Sequence, residues 1–266
     1  MIKKVKVLVL RTAGTNCDVE TAYAFKKVGA SCDLIHVNKI ISRKVLLNDY
    51  SILALPGGFT YGDDIASGKI LANEIRFKLS REVGDFVADG KLMIGICNGF
   101  QVLAKSGLLP DPVAGLGKLD VTLSINDSGK FEDRWVYLRS PRHKGRGSRC
   151  VWTKGMKDII YLPVAHAEGK FIPKNDKVLQ KLRENGQIVF KYCTGSGKDP
   201  QYPDNPNGSV NNIAGICDRT GRIFGLMPHP ERHICYTQHP RWTRSDKRTS
   251  DGLGIFENGV RAASKL

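Results

Sequence analysis

A chain of 266 residues, 41% hydrophobic and 25% charged, carries enough apolar material for a buried core and too little bias for wholesale disorder or a collagen-like fibre. No apolar run approaches the roughly 18 residues of a membrane helix, and the short N-terminal run is broken by Lys6 and closed by Arg11. These features argue against a span and a secretory core and point to a cytoplasmic protein. The net charge of +15 raises nucleic acid as a partner, yet Arg139, Arg142, Lys144, Arg146, Arg149, Lys154 and Lys157 fall in one segment with no acid, so the basicity reads as a local insertion at 139–157.

The first hundred residues alternate strand and helix signals. Residues 5–10 read as a strand, 18–28 as an amphipathic helix stopped by Gly29, and 32–37 as a second strand. Residues 50–55 read as a third buried strand ending at Pro56-Gly57-Gly58, 70–88 as one long helix before Gly90, 91–96 as a fourth strand and 100–105 as a helix. This alternation predicts an α/β fold, a doubly wound and mostly parallel sheet whose functional loops sit at the strand C-termini. After Gly107 the pattern shortens, with alternating positions in 119–125 and 135–138 that predict added antiparallel strands. Residues 213–217 and 222–227 flank Asp218-Arg219-Thr220-Gly221 as a hairpin, and 253–263 reads as a last helix. With no repeat and no linker, the expectation is a single domain over 1–266.

Seven scattered cysteines, without a Cys-x-x-Cys pair, indicate neither a disulfide framework nor a metal site. One has a chemical setting: Gly95-Ile96-Cys97-Asn98-Gly99 puts a cysteine between a buried strand and a helix start, as in a nucleophile elbow. The helix N-terminus favours a thiolate there. A buried strand-end cysteine is the plainer alternative. His229-Pro230-Glu231 offers a base and its orienter if the backbone is extended and places i and i+2 on one side; otherwise it is a polar turn. Pro56-Gly57-Gly58-Phe59 is either a tight turn or, with the amide of Asn98, an oxyanion hole. Together the three segments fit acyl transfer through a thioester.

These same segments, with Gln101 after the nucleophile, resemble the class I (triad) glutamine amidotransferases. Gly57-Gly58-Phe59-Thr60-Tyr61-Gly62-Asp63-Asp64, Asn98-Gly99-Phe100-Gln101, Pro163-Val164-Ala165-His166 and the run from Gly225 to Arg232 are similar, within that family, to glutaminase subunits of phosphoribosylformylglycinamidine synthases. The resemblance runs in order along almost the whole chain. It implies a flavodoxin-like fold, a triad of Cys97, His229 and Glu231, and an oxyanion held by the Gly58 and Asn98 amides. It implies glutamine contacts at Gly57, Phe59, Gln101, Arg134 and Trp135. The implied activity is hydrolysis of glutamine to glutamate and ammonia. The ammonia would pass to a large, ATP-dependent synthetase subunit, accompanied by a small accessory subunit, which makes formylglycinamidine ribonucleotide from formylglycinamide ribonucleotide in purine biosynthesis.

The resemblance places ATP and magnesium in the synthetase partner and no cofactor or metal in this chain. Gly195-Ser196-Gly197-Lys198 mimics part of a phosphate loop, but Asp199 stands where Ser or Thr is needed. His166, near Glu168, reads as a structural or interface residue. The segment 139–157 and the basic extension after 232 depart from the family pattern. Two other functions compete: an α/β-hydrolase with Cys for Ser, disfavoured because Glu231 follows its histidine, and a nucleic-acid-binding protein using the basic insertion.

Overall fold

Val7, Leu8, Val9 and Leu10 are all buried, a run that suits a strand covered on both faces. They lie in β1 (Lys6–Arg11), followed by α1 (Asp18–Lys27), β2 (Ser31–His36), the short α2 (Val37–Ile41) and β3 (Ile52–Leu55). Helix α1 carries Asp18 and Glu20 in its first turn and Lys26 and Lys27 in its last, complementing its dipole. The computed structural model describes residues 4–141, 149–244 and 248–266. Arg142, Lys144 and Arg146 of the basic insertion therefore lie outside the described residues.

The long helix expected over 70–88 is two helices, α3 (Lys69–Lys78) and α4 (Ser80–Ala88). Leu79 separates them with φ −124° and ψ 15° while its side chain is buried, so the break serves packing and carries no Gly or Pro. Then come β4 (Leu92–Ile96) and α5 (Asn98–Ser106). The second half adds β5 (Val121–Ser124), β6 (Glu132–Arg139), β7 (Ile159–His166), β8 (Lys170–Pro173), α6 (Asp176–Glu184), β9 (Ile188–Cys193), β10 (Ile213–Cys217), β11 (Ile223–Leu226) and α7 (Leu253–Ala263). Of these, β7, β8, α6 and β9 were not anticipated from the sequence.

The main sheet runs β2-β1-β3-β4-β11-β10-β9-β6-β7. Its first five strands are parallel, and each pairing from β11 onward is antiparallel. Strands β5 and β8 form a separate antiparallel pair. The order puts the C-terminal ends of β1, β3, β4 and β11 along one edge, which is where an open α/β sheet binds ligands. Among the described residues no helix is long and apolar enough to cross a membrane.

Candidate active site

Cys97 follows the last residue of β4 and precedes the first of α5. Its backbone has φ 51° and ψ −106°, a region that a side chain occupies only when the surroundings impose it. Three hydrogen bonds do so: its N–H donates to the Leu226 carbonyl at 2.8 Å, and its carbonyl accepts from Phe100 and Gln101 at 3.0 and 3.2 Å. The flanking glycines are needed for contacts away from the cysteine itself. A Cβ on Gly95 would sit 2.5 Å from the Gly99 oxygen, and one on Gly99 would collide with the Leu55 carbonyl of β3. The elbow is therefore packed against β3 as well as against β11. The Cys97 sulfur lies 3.6 Å from the Ala165 carbonyl of β7.

His229 is anchored by its own N–H, which donates to the Pro163 carbonyl at 2.8 Å. Its Nδ1 lies 2.6 Å from Glu231 Oε1, with both side chains buried. The contact expected of an extended His-Pro-Glu exists on a different backbone. Residues Pro230–His233 form a 3-10 turn, with Pro230 pre-set for its first position, and the turn folds the carboxylate back onto the ring. Burial pulls the His229 pKa down, but the Glu231 carboxylate and then Cys97 outweigh it and hold the ring well above its usual value. An imidazolium is favoured.

Gly58 has φ 136°, and a Cβ there would meet Asn16 N at 2.7 Å. The Phe59 amide is occupied, donating to the Gly14 carbonyl at 2.9 Å. Asn98 opens α5, where an N–H has no intrahelical acceptor. Gly58 and Asn98 thus keep amides available beside the elbow. The Asn98 side chain accepts from Thr60 Oγ1 at 2.7 Å and donates to Asp63 Oδ1 at 3.1 Å and Gln101 Oε1 at 3.0 Å. Gln101 in turn donates to the Glu168 carbonyl at 2.6 Å. One helical turn on, Lys105 donates to the Ser67 carbonyl at 2.6 Å and pairs with Glu168 at 3.3 Å. This polar stripe fastens the nucleophile helix to the 60–68 segment and to the turn after β7.

Adjacent residues of a strand face opposite ways, so Arg134 and Trp135 of β6 cannot both present side chains to one ligand. Arg134 pairs with Glu132 and donates to Tyr202 Oη at 3.1 Å. Trp135 packs against Tyr161, His233 and His239, with ring centroids 5.0 to 5.7 Å apart. That cluster holds the extension after 232 against β6 and β7. Phe59 is half exposed and stacks on Phe131.

One residue beside the site, Cys17, escaped sequence reasoning, and a second, His166, was read from the sequence as a structural or interface residue. Cys17, in the loop after β1, is buried; its sulfur accepts from Arg232 Nη2 at 3.2 Å, and Arg232 Nε donates to Glu20 at 3.0 Å. The only available signal was the convergence of loops at strand ends. His166 Nε2 accepts from Asn207 at 3.4 Å, so Nδ1 carries the proton. Burial, aided by the nearby His229, depresses its pKa to about 3, which keeps the ring neutral and unsuited to serve as the base.

Residues 4–261 match the family of CobB/CobQ-like glutamine amidotransferase domains. Phosphoribosylformylglycinamidine synthase subunit PurQ of Dehalococcoides mccartyi is 47% identical over 266 residues, 100% of both chains. The chain belongs to the PurQ family of glutamine amidotransferases. A PurQ subunit of Archaeoglobus fulgidus is 41% identical, with 99% of each chain covered. A chain of the PurLQS structure from Thermotoga maritima aligns at TM-score 0.73 and 29% identity, over 97% of this chain and 99% of that one. A glutamine amidotransferase from the same organism, 17% identical at TM-score 0.55 over 98% of this chain and 99% of that one, shares the fold. PurQ membership and this fold set aside the α/β-hydrolase reading, and nucleic-acid binding as the main function.

Proposed function

We propose that this chain is the glutaminase subunit of a phosphoribosylformylglycinamidine synthase, with Cys97, His229 and Glu231 as its triad. The observation that carries the reading is the elbow itself: Cys97 holds a strained backbone whose N–H is bonded to β11, the strand that leads into His229 and Glu231. The Cys97 sulfur, its proton already passed to His229 Nε2, attacks the carboxamide carbon of glutamine. The developing oxyanion accepts from the Gly58 and Asn98 amides. Collapse of the tetrahedral intermediate breaks the C–N bond, His229 returns the proton to the leaving nitrogen, and ammonia departs from a thioester. Water, deprotonated by His229, then releases glutamate and restores the thiol. Glu231 acts through His229, holding the Nδ1 proton and stabilising the imidazolium.

Gly57, Phe59, Gln101, Arg134 and Trp135 are read as the glutamine contacts; the Gln101 amide, bonded to Asn98 and the Glu168 carbonyl, would act through that polar stripe. Ammonia passes to an ATP-dependent synthetase subunit, assembled with a small accessory subunit in the cytoplasm. ATP and magnesium belong to that partner. In the 194–198 turn of this chain Gly197 N–H donates to the Thr194 carbonyl at 2.8 Å and Thr194 N–H to the Lys198 carbonyl at 3.1 Å. The whole chain is read as one amidotransferase domain carrying a basic insertion and a C-terminal extension. The test is Cys97→Ala in the reconstituted complex. Glutamine-dependent synthesis should disappear while synthesis from supplied ammonia persists; equal loss of both with the complex assembled would overturn the assignment.

A further inference from the structure

Cys17 takes no part in the chemistry above, yet its sulfur lies among the atoms that carry it out. The Cys17 sulfur, a His229 ring nitrogen and a Glu231 carboxylate oxygen all lie within 4.8 Å of one another. Glu231 Oε2, fully buried, and His229 Nε2 have no hydrogen-bond partner among the described residues. A thiol, an imidazole and a carboxylate at this spacing are the donor set that zinc-class cations take.

We propose that Cys17, His229 and Glu231 form an inhibitory site for a thiophilic divalent cation of the zinc class. The inference rests on the glutaminase reading for its consequence, though not for the binding itself. Glu231 faces Nδ1, so a cation shared by all three residues binds that nitrogen. Tetrahedral zinc spaces such ligands roughly 3.3 to 3.7 Å apart. The His229–Glu231 contact of 2.6 Å must therefore open by about 0.7 Å, and the sulfur, within 4.8 Å of both, must close to that spacing. Arg232, partly exposed and bonded to both Cys17 and Glu20, covers the sulfur from the solvent side and can swing outward as a cation arrives.

Protons and charge balance. The Cys17 thiol loses one proton to solvent and the His229 imidazolium loses another from Nδ1, keeping the one on Nε2. The thiolate and carboxylate neutralise the dication. Nε2 then cannot pass its proton to the leaving nitrogen, and glutaminase chemistry stops. Because the thiol must lose its proton to bind, protons compete with the cation and affinity should rise with pH through the neutral range.

The experiment titrates the full chain with cobalt(II), a visible substitute for zinc, and follows the sulfur-to-cobalt charge-transfer band. One equivalent should bind and be displaced by zinc, with the band retained in Cys97→Ala and lost in Cys17→Ser. In the assembled complex, zinc should lower glutamine-dependent synthesis at least tenfold and leave ammonia-dependent synthesis unchanged. Cys17→Ser turnover, measured against its own zinc-free rate, should be insensitive. A band that vanishes in Cys97→Ala would place the cation on the nucleophile and overturn the proposal, as would equal zinc inhibition of Cys17→Ser. Should Cys17→Ser fail to fold, Cys17→Ala takes its place with the same expectation, and a charge-transfer band that persists in it overturns the proposal. Because cobalt is read without turnover, its absence sinks this site alone, whereas ammonia dependence tests the glutaminase reading separately.

Discussion

Gly99→Ala measures how closely catalysis depends on the packing of the elbow against β3. The new methyl would lie 2.6 Å from the Leu55 carbonyl carbon, against an ordinary contact of 3.4 Å or more. Because the Leu55 carbonyl oxygen lies closer still than the carbon, helix α5 or the end of β3 must give by more than about 0.8 Å, and neither is a flexible side chain. Leu55 leads directly into Gly57 and Gly58, while Asn98 precedes the methyl, so the shift falls on the separation between the two oxyanion donors. A displacement near 1 Å costs on the order of a hundredfold in rate, and overpacking costs about 1 to 3 kcal/mol in stability. Gly84→Ala is the matched control: it lies within α4 with nothing within 4 Å of the added methyl, and should stabilise by about 0.5 to 1 kcal/mol. The assay compares glutamine-dependent with ammonia-dependent synthesis in the reconstituted complex, beside urea unfolding of the free chain. Gly99→Ala turning over glutamine within threefold of wild type would refute the argument that this contact sets the site.

Three further outcomes follow from the buried titratable groups. His166 is held near pKa 3 against 6.5 in the unfolded chain, so the unfolded state binds the extra proton as pH falls and stability declines from pH 6.5 downward. At pH 5 this amounts to about 2 kcal/mol, and His166→Gln should unfold with a flatter acid limb by that amount; parallel urea curves at pH 7 and 5 would contradict it. His229 has the opposite sign, since its raised pKa stabilises below 6.5 and the benefit is lost as pH rises through the folded value, but it is common to both proteins and cancels. Glu231→Gln should retain more glutaminase activity than His229→Ala, which should lose roughly 10² to 10⁴-fold, because only the latter removes the proton acceptor; reversed single-turnover rates would break the role assignment. Lys105→Met should lower stability by about 2 kcal/mol by stranding the Ser67 carbonyl and the Glu168 carboxylate, and adding Glu168→Gln should recover part of it in a double-mutant cycle.

Fully apolar runs were the most readable part of this sequence, because β1, β3 and β4 are buried on both faces and leave no room for polar residues. The last helix and the β10–β11 hairpin were equally legible through their periodicity and turn residues. Strand β7 was hidden by Pro163, which reads as a breaker. The structure admits it because β7 is an edge strand, paired only with β6, where a missing donor is tolerated. Helix α6 was hidden by its polarity: only Leu182 is buried, and its clearest mark is the Asn175 cap accepting from Val178 N–H at 3.0 Å. At the candidate site, short local strings carry Cys97, Gly58, His229 and Glu231, which is why sequence reasoning singles them out. The polar stripe of Asn98, Gln101 and Lys105 and the placement of Cys17 depend on segments far apart in sequence. Arg134 and Trp135 were read as a pair, which strand alternation separates.

Strand β11 enters the sheet between β4, more than a hundred residues upstream, and β10, so the last strand of the chain closes its middle. A ribosome producing this protein makes the nucleophile loop early, yet that loop lacks the Leu226 carbonyl that secures Cys97 and the histidine that activates it until nearly the whole chain has emerged. Until β11 and the turn after it have been made, the Cys97 loop has neither its backbone partner nor the His229 and Glu231 that the proposed triad requires, so the order of synthesis makes the site one of the last parts of the fold to be completed.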